Sequence, residues 1–307
     1  VDVEGMAAPC SVPSIRPCGR PCTLWHEEYF SKLRARAGLR DDFINTGWNF
    51  DSFESGGGKG GTVLAYLGTS FVVKELSQGD HLCLLDITPS YYEHLSAGHS
   101  RLSAIYLHYR DDATGRVFFV MRNELGPGPF QEMYDLKGCD DDRTLMASGK
   151  AVNPVRKRIW NIIMWGGTCC WTEDRVTYHR GKVNARKLKL HMTEEQRAQV
   201  LSELKRDTDW LAKMNLMDYS LLVGIRKGPP GFLEKELEGR RPVARKQDSA
   251  AEVVHFLGIV DFLQKWNLSK KVAKVIKILE RNKATIHPEP YGTRFYEHFC
   301  KNIVVLE

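Results

Sequence analysis

Short apolar runs separated by glycine and polar residues characterise the first half of the chain. The runs 63–67 and 70–74 flank a turn at Gly68 and predict a β-hairpin. Residues 80–95 have a helical pattern despite Pro89, and the apolar run 117–121 predicts a buried strand. These patterns predict a β-rich region that also contains a long helix.

Longer periodic segments dominate the second half. Residues 193–214 predict an amphipathic helix, in which Thr193 is the N-cap and the next two residues are acidic. The expected core-facing side chains are Val200, Leu204, Leu211 and Met214. Apolar runs at 219–225 and 253–262 predict two strands. This half is therefore mixed α/β.

Three stretches lack any such pattern. Residues 1–23 are rich in Pro, Gly, Ser and Cys and predict a mobile arm, and the polar residues 226–252 predict a disordered connection. The sequence Gly-Pro-Gly-Pro at 126–129 predicts a boundary. We therefore expect an α+β protein with a first lobe over 24–129 and a second lobe over 130–307.

Composition and charge narrow the class of protein only slightly. The chain has 307 residues, of which 42% are hydrophobic and 27% charged, as in ordinary globular proteins. Its net charge of +6 leaves nucleic acid and anionic membranes open as partners. The longest uncharged stretch, 159–172, is too short for a span of about 20 apolar residues. Any membrane contact is expected to be peripheral.

The eight cysteines do not suggest a disulfide-stapled protein, because the chain is long and shows no signal-peptide pattern. We expect a cytoplasmic location. Cys10, Cys18, Cys22 and His26 could form a zinc site, but they lack the paired short spacings of such sites. A zinc site is the weaker interpretation of these residues.

A glycine-rich segment precedes the predicted hairpin, whose second strand ends at Lys74. Backbone N–H groups in such loops can bind phosphate oxygens, as in the nucleotide-covering loop of kinases. A P-loop is excluded because Lys59 is followed by Gly60 rather than Ser or Thr. From the residues alone, an ordinary flexible loop stays open.

Two acidic residues stand beside apolar runs. Asp218 directly precedes the run 219–225, and Asp261 follows the run 256–260. Phosphoryl transfer needs a residue that orients the attacking hydroxyl and carboxylates that hold Mg²⁺. Taken singly, either residue is more typical of a turn or an N-cap than of a catalytic site.

Three blocks, Tyr134-Asp-Leu-Lys-Gly138, Met217-Asp-Tyr-Ser-Leu-Leu222 and Gly258-Ile-Val-Asp261, occur in this order. Together they resemble the signature blocks of the phosphatidylinositol phosphate kinases, and the resemblance extends from about residue 30 to the carboxyl terminus. It implies a two-lobed kinase-like fold with a β-rich, ATP-binding N-lobe. A mixed α/β C-lobe with a basic specificity loop would carry the lipid site.

The resemblance also implies roles for individual residues, with ATP and Mg²⁺ as the cofactors. Asp218 would orient the inositol hydroxyl, Asp261 would bind Mg²⁺, and Lys74 would contact the ATP phosphates with Asp80 as its acidic partner. Lys137 and Arg143 match family positions near the phosphates. The nucleotide-covering loop would comprise Gly56, Gly57, Gly58, Lys59, Gly60 and Gly61.

The segment after Asp261 corresponds to the family's specificity loop. In residues 268–279 an apolar stripe lies beside a lysine face made by Lys270, Lys274 and Lys277, a pattern typical of helices at anionic membrane surfaces. The resemblance implies that Lys270 and Lys271 meet the substrate phosphate. The expected partner is therefore a phosphatidylinositol monophosphate in an anionic membrane.

The choice of monophosphate depends on a nearby position, where the family's 5-kinases carry Glu and its 4-kinases carry Ala; this chain has Ala273. The segment 288–295 looks closer to the branch that acts on the 3-phosphate. We take phosphatidylinositol 4-phosphate as the first expected substrate, because its phosphorylation by a 5-kinase is the broad activity of the family. The 5-phosphate and the 3-phosphate are alternatives.

Departures from the family pattern keep a second class of function open. Cys139 replaces the usual Ser, residues 140–142 are all Asp, and the Trp- and Cys-rich stretch 160–171 has no counterpart. A catalytically silent phosphoinositide-binding scaffold is therefore the alternative. A protein kinase is disfavoured because Val223 stands where its catalytic loop needs Asn, and no motif supports nucleic-acid binding. A homodimer stays open.

Overall fold

The computed structural model describes residues 8–46, 54–55, 62–155, 172–229, 231–232, 241–246, 252–266 and 286–305. For 54–55 and 244–246 it describes the backbone only. The glycine-rich loop at 56–61, the stretch 160–171 and the basic segment 268–279 lie outside these ranges. The predictions for them stay predictions.

The described residues contain five α-helices. They are α1 (Glu27–Arg36), α2 (Gln78–Ser96), α3 (Glu173–Lys187), α4 (Glu194–Lys213) and α5 (Pro288–Asn302). None of the helices within these ranges is long and apolar enough to cross a membrane.

An antiparallel six-stranded sheet forms the first half. Its strands are β1 (Cys22–Leu24), β2 (Glu54–Ser55), β3 (Val63–Leu67), β4 (Phe71–Glu75), β5 (Ile105–Asp111) and β6 (Val117–Arg122). They are arranged in the order β1-β5-β6-β4-β3-β2. The predicted hairpin is confirmed as β3 and β4, and the predicted strand at 117–121 as β6.

A second antiparallel six-stranded sheet forms the other half. Its strands are β7 (Glu132–Leu136), β8 (Arg143–Ala147), β9 (Lys150–Ala151), β12 (Ser220–Gly228), β13 (Val243–Lys246) and β14 (Glu252–Val260). Their order is β13-β14-β12-β7-β8-β9. The predicted boundary at 126–129 therefore falls between the last strand of one sheet and the first strand of the other.

Two short ladders complete the strand pairing in the described residues. Strands β10 (Leu190–Met192) and β16 (Ile303–Val305) pair in parallel, and β11 (Leu216–Met217) pairs with β15 (Gln264–Lys265) antiparallel. The two large sheets are tied by backbone hydrogen bonds. Ser103 donates to Ile259 and Ile259 donates to Arg101. The amino-terminal half is thus fastened directly to β14.

The long helices follow from their end signals and apolar faces. In α4 the Thr193 side chain accepts from the backbone of Gln196, whose side chain accepts from Thr193 N, so the predicted cap is confirmed as a capping box. Val200, Leu204 and Leu211 are buried, and Met214 is partly buried at the C-cap. These side chains fix α4 against the central core.

Helix α2 continues through Pro89, as the sequence predicted. Proline cannot donate to the carbonyl four residues earlier, which here belongs to Leu85. The ring Nε2 of buried His26 lies 2.9 Å from that carbonyl oxygen and hydrogen-bonds it. His26 thus compensates for the missing helical bond.

The amino-terminal segment differs from the predicted mobile arm of residues 1–23. Over the described part, Ile15 and Cys22 are buried, Cys10 pairs with Leu24, and β1 pairs with β5. Residues 8–23 are therefore folded onto the first sheet. A few buried apolar side chains and pairing at the edge of the sheet suffice to order this segment, although its composition shows no periodicity.

The predicted disordered connection, 226–252, is also wrong in part. Strand β12 continues to Gly228, and β13 pairs with β14 through Val243–Lys246. Backbone hydrogen bonds stabilise these strand ends, and Val243 is buried. A polar composition does not reveal such pairing.

Candidate active site

Three neighbouring strands bring chemically active side chains to one end of the second sheet. Asp261 follows β14, Asp218 lies just before β12, and Lys137 follows β7. The register places Ser220 opposite Val260 and Leu221 opposite Leu136, so these three strand ends are adjacent. The sheet topology thus converts three distant sequence blocks into one site.

Asp218 is held by Lys137. The Lys137 ammonium Nζ donates to Asp218 Oδ1 at 2.5 Å and to the Asp218 carbonyl at 2.7 Å. Asp218 has φ of +67°, a left-handed conformation that is unusual for a residue with a side chain. Two bonds from one ammonium therefore fix both the backbone and the carboxylate of Asp218.

Asp261 is held from the other sheet. Lys74 Nζ, on β4, lies 2.6 Å from Asp261 Oδ1, and Asp261 has φ of +59°. Desolvation in the cleft would raise the pKa of Asp261, but Lys74, with Lys137 and Arg143, lowers it below the usual value. The side chain is 50% exposed. Asp261 therefore presents a solvent-accessible carboxylate that remains ionised.

Lys137 remains a cation in this setting. Burial would lower its pKa, but the charge and hydrogen bond of Asp218 outweigh burial and raise the pKa above its usual value. Arg143 shows the same balance, because Asp135 raises its pKa against the effect of burial. The two groups remain positively charged at neutral pH.

Asp135 is a site residue that sequence reasoning missed. Its Oδ2 accepts from Arg143 Nε at 2.7 Å, and its side chain is only 9% exposed. A signal was present, because Asp135 belongs to the same block as Lys137. It orients the Arg143 side chain.

The expected pairing of Lys74 with Asp80 is not observed. The Asp80 carboxylate instead accepts from Gln264 Nε2 at 2.9 Å and from the Ser77 hydroxyl at 2.8 Å. Asp80 lies in the first turn of α2, where the Ser77 cap holds it, while Asp261 is available to Lys74. Asp80 therefore connects α2 to the segment after Asp261.

The oxygen donors of the site suit Mg²⁺. This ion is usually bound through one or two carboxylates together with substrate phosphates, so a half-exposed Asp261 beside Asp218 fits it. Within the described ranges, no cluster of three or more His, Cys, Asp or Glu could form a metal cage by itself. This also means that Cys10, Cys18, Cys22 and His26 do not assemble a zinc site.

Two groups of predicted site residues lie outside the ranges that the structure describes. The loop Gly56–Gly61 would cover the nucleotide, and the segment with Lys270, Lys271, Ala273, Lys274 and Lys277 would meet the lipid. The described residues that the structure brings together are Lys74, Lys137, Asp218 and Asp261, with Arg143 near them.

Comparisons with known proteins show similarity to one family over most of the chain. A family model described as Phosphatidylinositol-4-phosphate 5-Kinase matches residues 49–249 and 228–303. The chain is 26% identical to phosphatidylinositol 5-phosphate 4-kinase type-2 gamma of Xenopus tropicalis, over 90% of this chain and 74% of the relative. The corresponding human protein is 24% identical, over 90% of this chain and 75% of the relative.

A second kind of relative is much longer. The 1-phosphatidylinositol 3-phosphate 5-kinase FAB1 of Saccharomyces cerevisiae is 23% identical over 93% of this chain, which corresponds to 12% of that protein.

Proposed function

The chain belongs to the phosphatidylinositol phosphate kinase family, and we propose that it transfers the γ-phosphate of ATP to a phosphatidylinositol monophosphate. This proposal is supported most directly by two ion pairs at one end of the second sheet. Lys137 holds Asp218, and Lys74 reaches from the other sheet to Asp261. Phosphoryl transfer depends mainly on such positioning and on charge stabilisation.

Each side chain has a role that its geometry supports. Asp218, fixed by Lys137, orients the inositol hydroxyl and accepts its hydrogen bond. Asp261 would hold Mg²⁺, which when bound neutralises charge on the ATP phosphates. Lys74 would exchange its bond to Asp261 for contacts with those phosphates. Arg143 adds positive charge close to the same place.

The acceptor lipid is the finer part of the proposal. Phosphatidylinositol 4-phosphate is our first candidate, because its phosphorylation is the broad activity of the family. Phosphatidylinositol 5-phosphate is the second candidate, favoured by Ala273 and by the relatives named as 5-phosphate 4-kinases. The relative from yeast keeps the 3-phosphate among the substrates to be tested.

The lipid would be reached at a membrane surface. Lys270 and Lys271 would meet the substrate phosphate, and Lys274 and Lys277 would face the anionic leaflet, where each lysine contributes about 1 kcal/mol. We place the protein peripherally on the cytosolic face of membranes on this basis.

An assay with three lipids tests the proposal. The protein is incubated with ATP and Mg²⁺ and with vesicles that each contain one of the three monophosphates, and the bisphosphate products are separated by head group. We expect transfer to at least one monophosphate, with the 4-phosphate used fastest. Vesicle binding by a folded protein without transfer to any of the three would instead support the scaffold alternative.

A further inference from the structure

Residues 137–139 form a turn after β7, here called the Lys137 turn. Asp142 is the last of the three consecutive acids that follow this turn, and it is completely buried. Its Oδ1 accepts from the backbone N–H of Lys137 at 2.6 Å and from that of Cys139 at 3.3 Å. Its own N–H donates to the Cys139 carbonyl at 3.0 Å. One carboxylate therefore closes the turn that follows β7.

The same turn is pressed against α5. Gly138 has φ of +68°, and a Cβ at this position would lie 3.0 Å from His298 Cβ and 3.4 Å from Phe295 Cα. The turn thus packs against α5 and is hydrogen-bonded by the Asp142 carboxylate. Its backbone geometry decides where the Lys137 side chain begins.

Asp140 offers a useful contrast, because it is also an acid of this run. It pairs with Arg186 on α3, and its side chain is 42% exposed. Its carboxylate therefore interacts with a neighbouring helix and, unlike that of Asp142, is partly exposed to solvent.

We propose that Asp142 is a positioning residue for phosphoryl transfer, whose buried, ionised carboxylate sets the Lys137 turn so that the Lys137 ammonium holds Asp218. This inference rests on the proposed kinase function. Bonds from N–H groups to an ionised acceptor are about twice as strong as neutral ones. The charge of Asp142 is therefore expected to matter, in addition to its shape.

The surroundings make this charge costly. Burial raises the pKa of Asp142 to about 6, although the N–H bonds of the turn act in the opposite direction, and Asp135 on β7 raises the pKa further. His298 Nε2 lies 4.0 Å from Asp142 Oδ2. Burial, with Lys189, Arg294 and Lys301, lowers the pKa of His298 to about 4, so this ring is neutral and supplies no counter-charge.

The sign of the effect on stability follows from these values. The folded-state pKa of Asp142 lies above the ordinary value of 3.8, so its contribution to stability is lost as the pH rises through about 6. Above that pH the wild type carries a buried charge. A neutral Asn at this position removes the cost of that charge but keeps an oxygen acceptor.

The test compares Asp142→Asn with Asp140→Asn in the full chain. Initial rates of lipid phosphorylation are measured from pH 5 to 8 with saturating ATP and lipid, and melting temperatures are measured over the same range. For Asp142→Asn we expect kcat to fall by about 3- to 10-fold at pH 7.5. The wild-type kcat should decline as the pH falls through about 6, where Asp142 takes up a proton, and this decline should be absent in the variant. Asp140→Asn should reproduce the wild-type profile.

The melting temperature of Asp142→Asn should rise although its kcat falls. Asp142→Asn should melt about 3 °C higher than the wild type at pH 7.5, and this gain should shrink at pH 5. If Asp142 had a purely structural role, kcat and the melting temperature of Asp142→Asn would not change in opposite directions. If Asp142→Asn keeps the wild-type kcat and pH profile, the inference is overturned while the kinase proposal stands. If the wild type transfers no phosphate, both fail.

Discussion

At the scale of single residues, the catalytic candidates adopt a backbone conformation that is costly for their type. Asp218 and Asp261 both have φ near +60°, which costs about 1 kcal/mol or more for a residue with a side chain. Each is held there by a lysine. Two acids of one site thus keep a strained backbone conformation and are each ion-paired with a lysine. This arrangement agrees with a functional role for both residues rather than with a role in forming turns.

A histidine pair in the first half leads to a prediction about pH. His81 Nδ1 and His108 Nε2 are 2.9 Å apart, and Trp25 packs on both rings. Burial lowers the pKa of both rings, and for His108 the neighbouring histidines lower it further. Both rings therefore remain neutral in the folded protein, whereas the unfolded chain takes up protons below about pH 6.5.

Stability from this pair is present above pH 6.5 and is lost as the pH falls below it, by up to about 1.4 kcal/mol per pH unit for each ring. Replacing His108 by Leu removes one of the two rings. We expect melting temperatures of His108→Leu to decline less steeply than those of the wild type between pH 6.5 and 5. The exposed His191, changed to Leu, serves as the control. Parallel slopes for His108→Leu and the wild type would contradict this interpretation.

At the scale of elements, the segment between the sheets packs into the middle of β12. A Cβ on Gly224 would lie 2.8 Å from Leu125 Cδ2 and 2.8 Å from Phe130 Cε1. Such contacts require the connecting segment to move. The glycine in the strand therefore allows close approach rather than flexibility.

Gly224→Ala should consequently destabilise the protein by about 1–3 kcal/mol, the usual cost of overpacking. Urea unfolding measures this change. Gly79→Ala in the first turn of α2, where the nearest neighbour of a new Cβ is 3.9 Å away, should be neutral or slightly stabilising. A Gly224→Ala variant as stable as the wild type would show that the connecting segment is not packed tightly there.

Elements with strong local signals could be predicted from the sequence. The hairpin, α2 and α4 all appear, because turn glycines, caps and apolar periodicity act within a few neighbouring residues. Residues 8–23 and 243–246 were missed. They are ordered by pairing with strands far away along the chain, and local composition carries no information about such partners.

At the scale of the whole molecule, the site exists only because both sheets contribute to it. Lys74 lies 187 residues before Asp261, and its Nζ lies 2.6 Å from Asp261 Oδ1. The family resemblance predicted Lys74, Lys137, Asp218 and Asp261 as site residues, and the structure brings these four side chains together. It did not predict that Lys74 would bond Asp261 while Asp80 bonds Gln264, because that choice depends on the relative position of α2 and both sheets.

We propose that Asp218, set by Lys137 at the end of the second sheet, is required for phosphoryl transfer. The most direct test measures initial rates of phosphate transfer from ATP to lipid for Asp218→Asn and for the control Asp209→Asn. Asp209 is a 62% exposed carboxylate that pairs with Lys205 on α4. Asp209→Asn should melt near the wild-type temperature, because exposed ion pairs contribute at most about 1 kcal/mol. Asp218→Asn should stay folded, because Asn keeps an oxygen acceptor for Lys137 and tolerates the left-handed backbone conformation.

We expect Asp218→Asn to lose about 100-fold or more of the wild-type rate, in the range of a positioned general base, while Asp209→Asn keeps it. A folded Asp218→Asn protein with the wild-type rate would show that Asp218 does not have the proposed role.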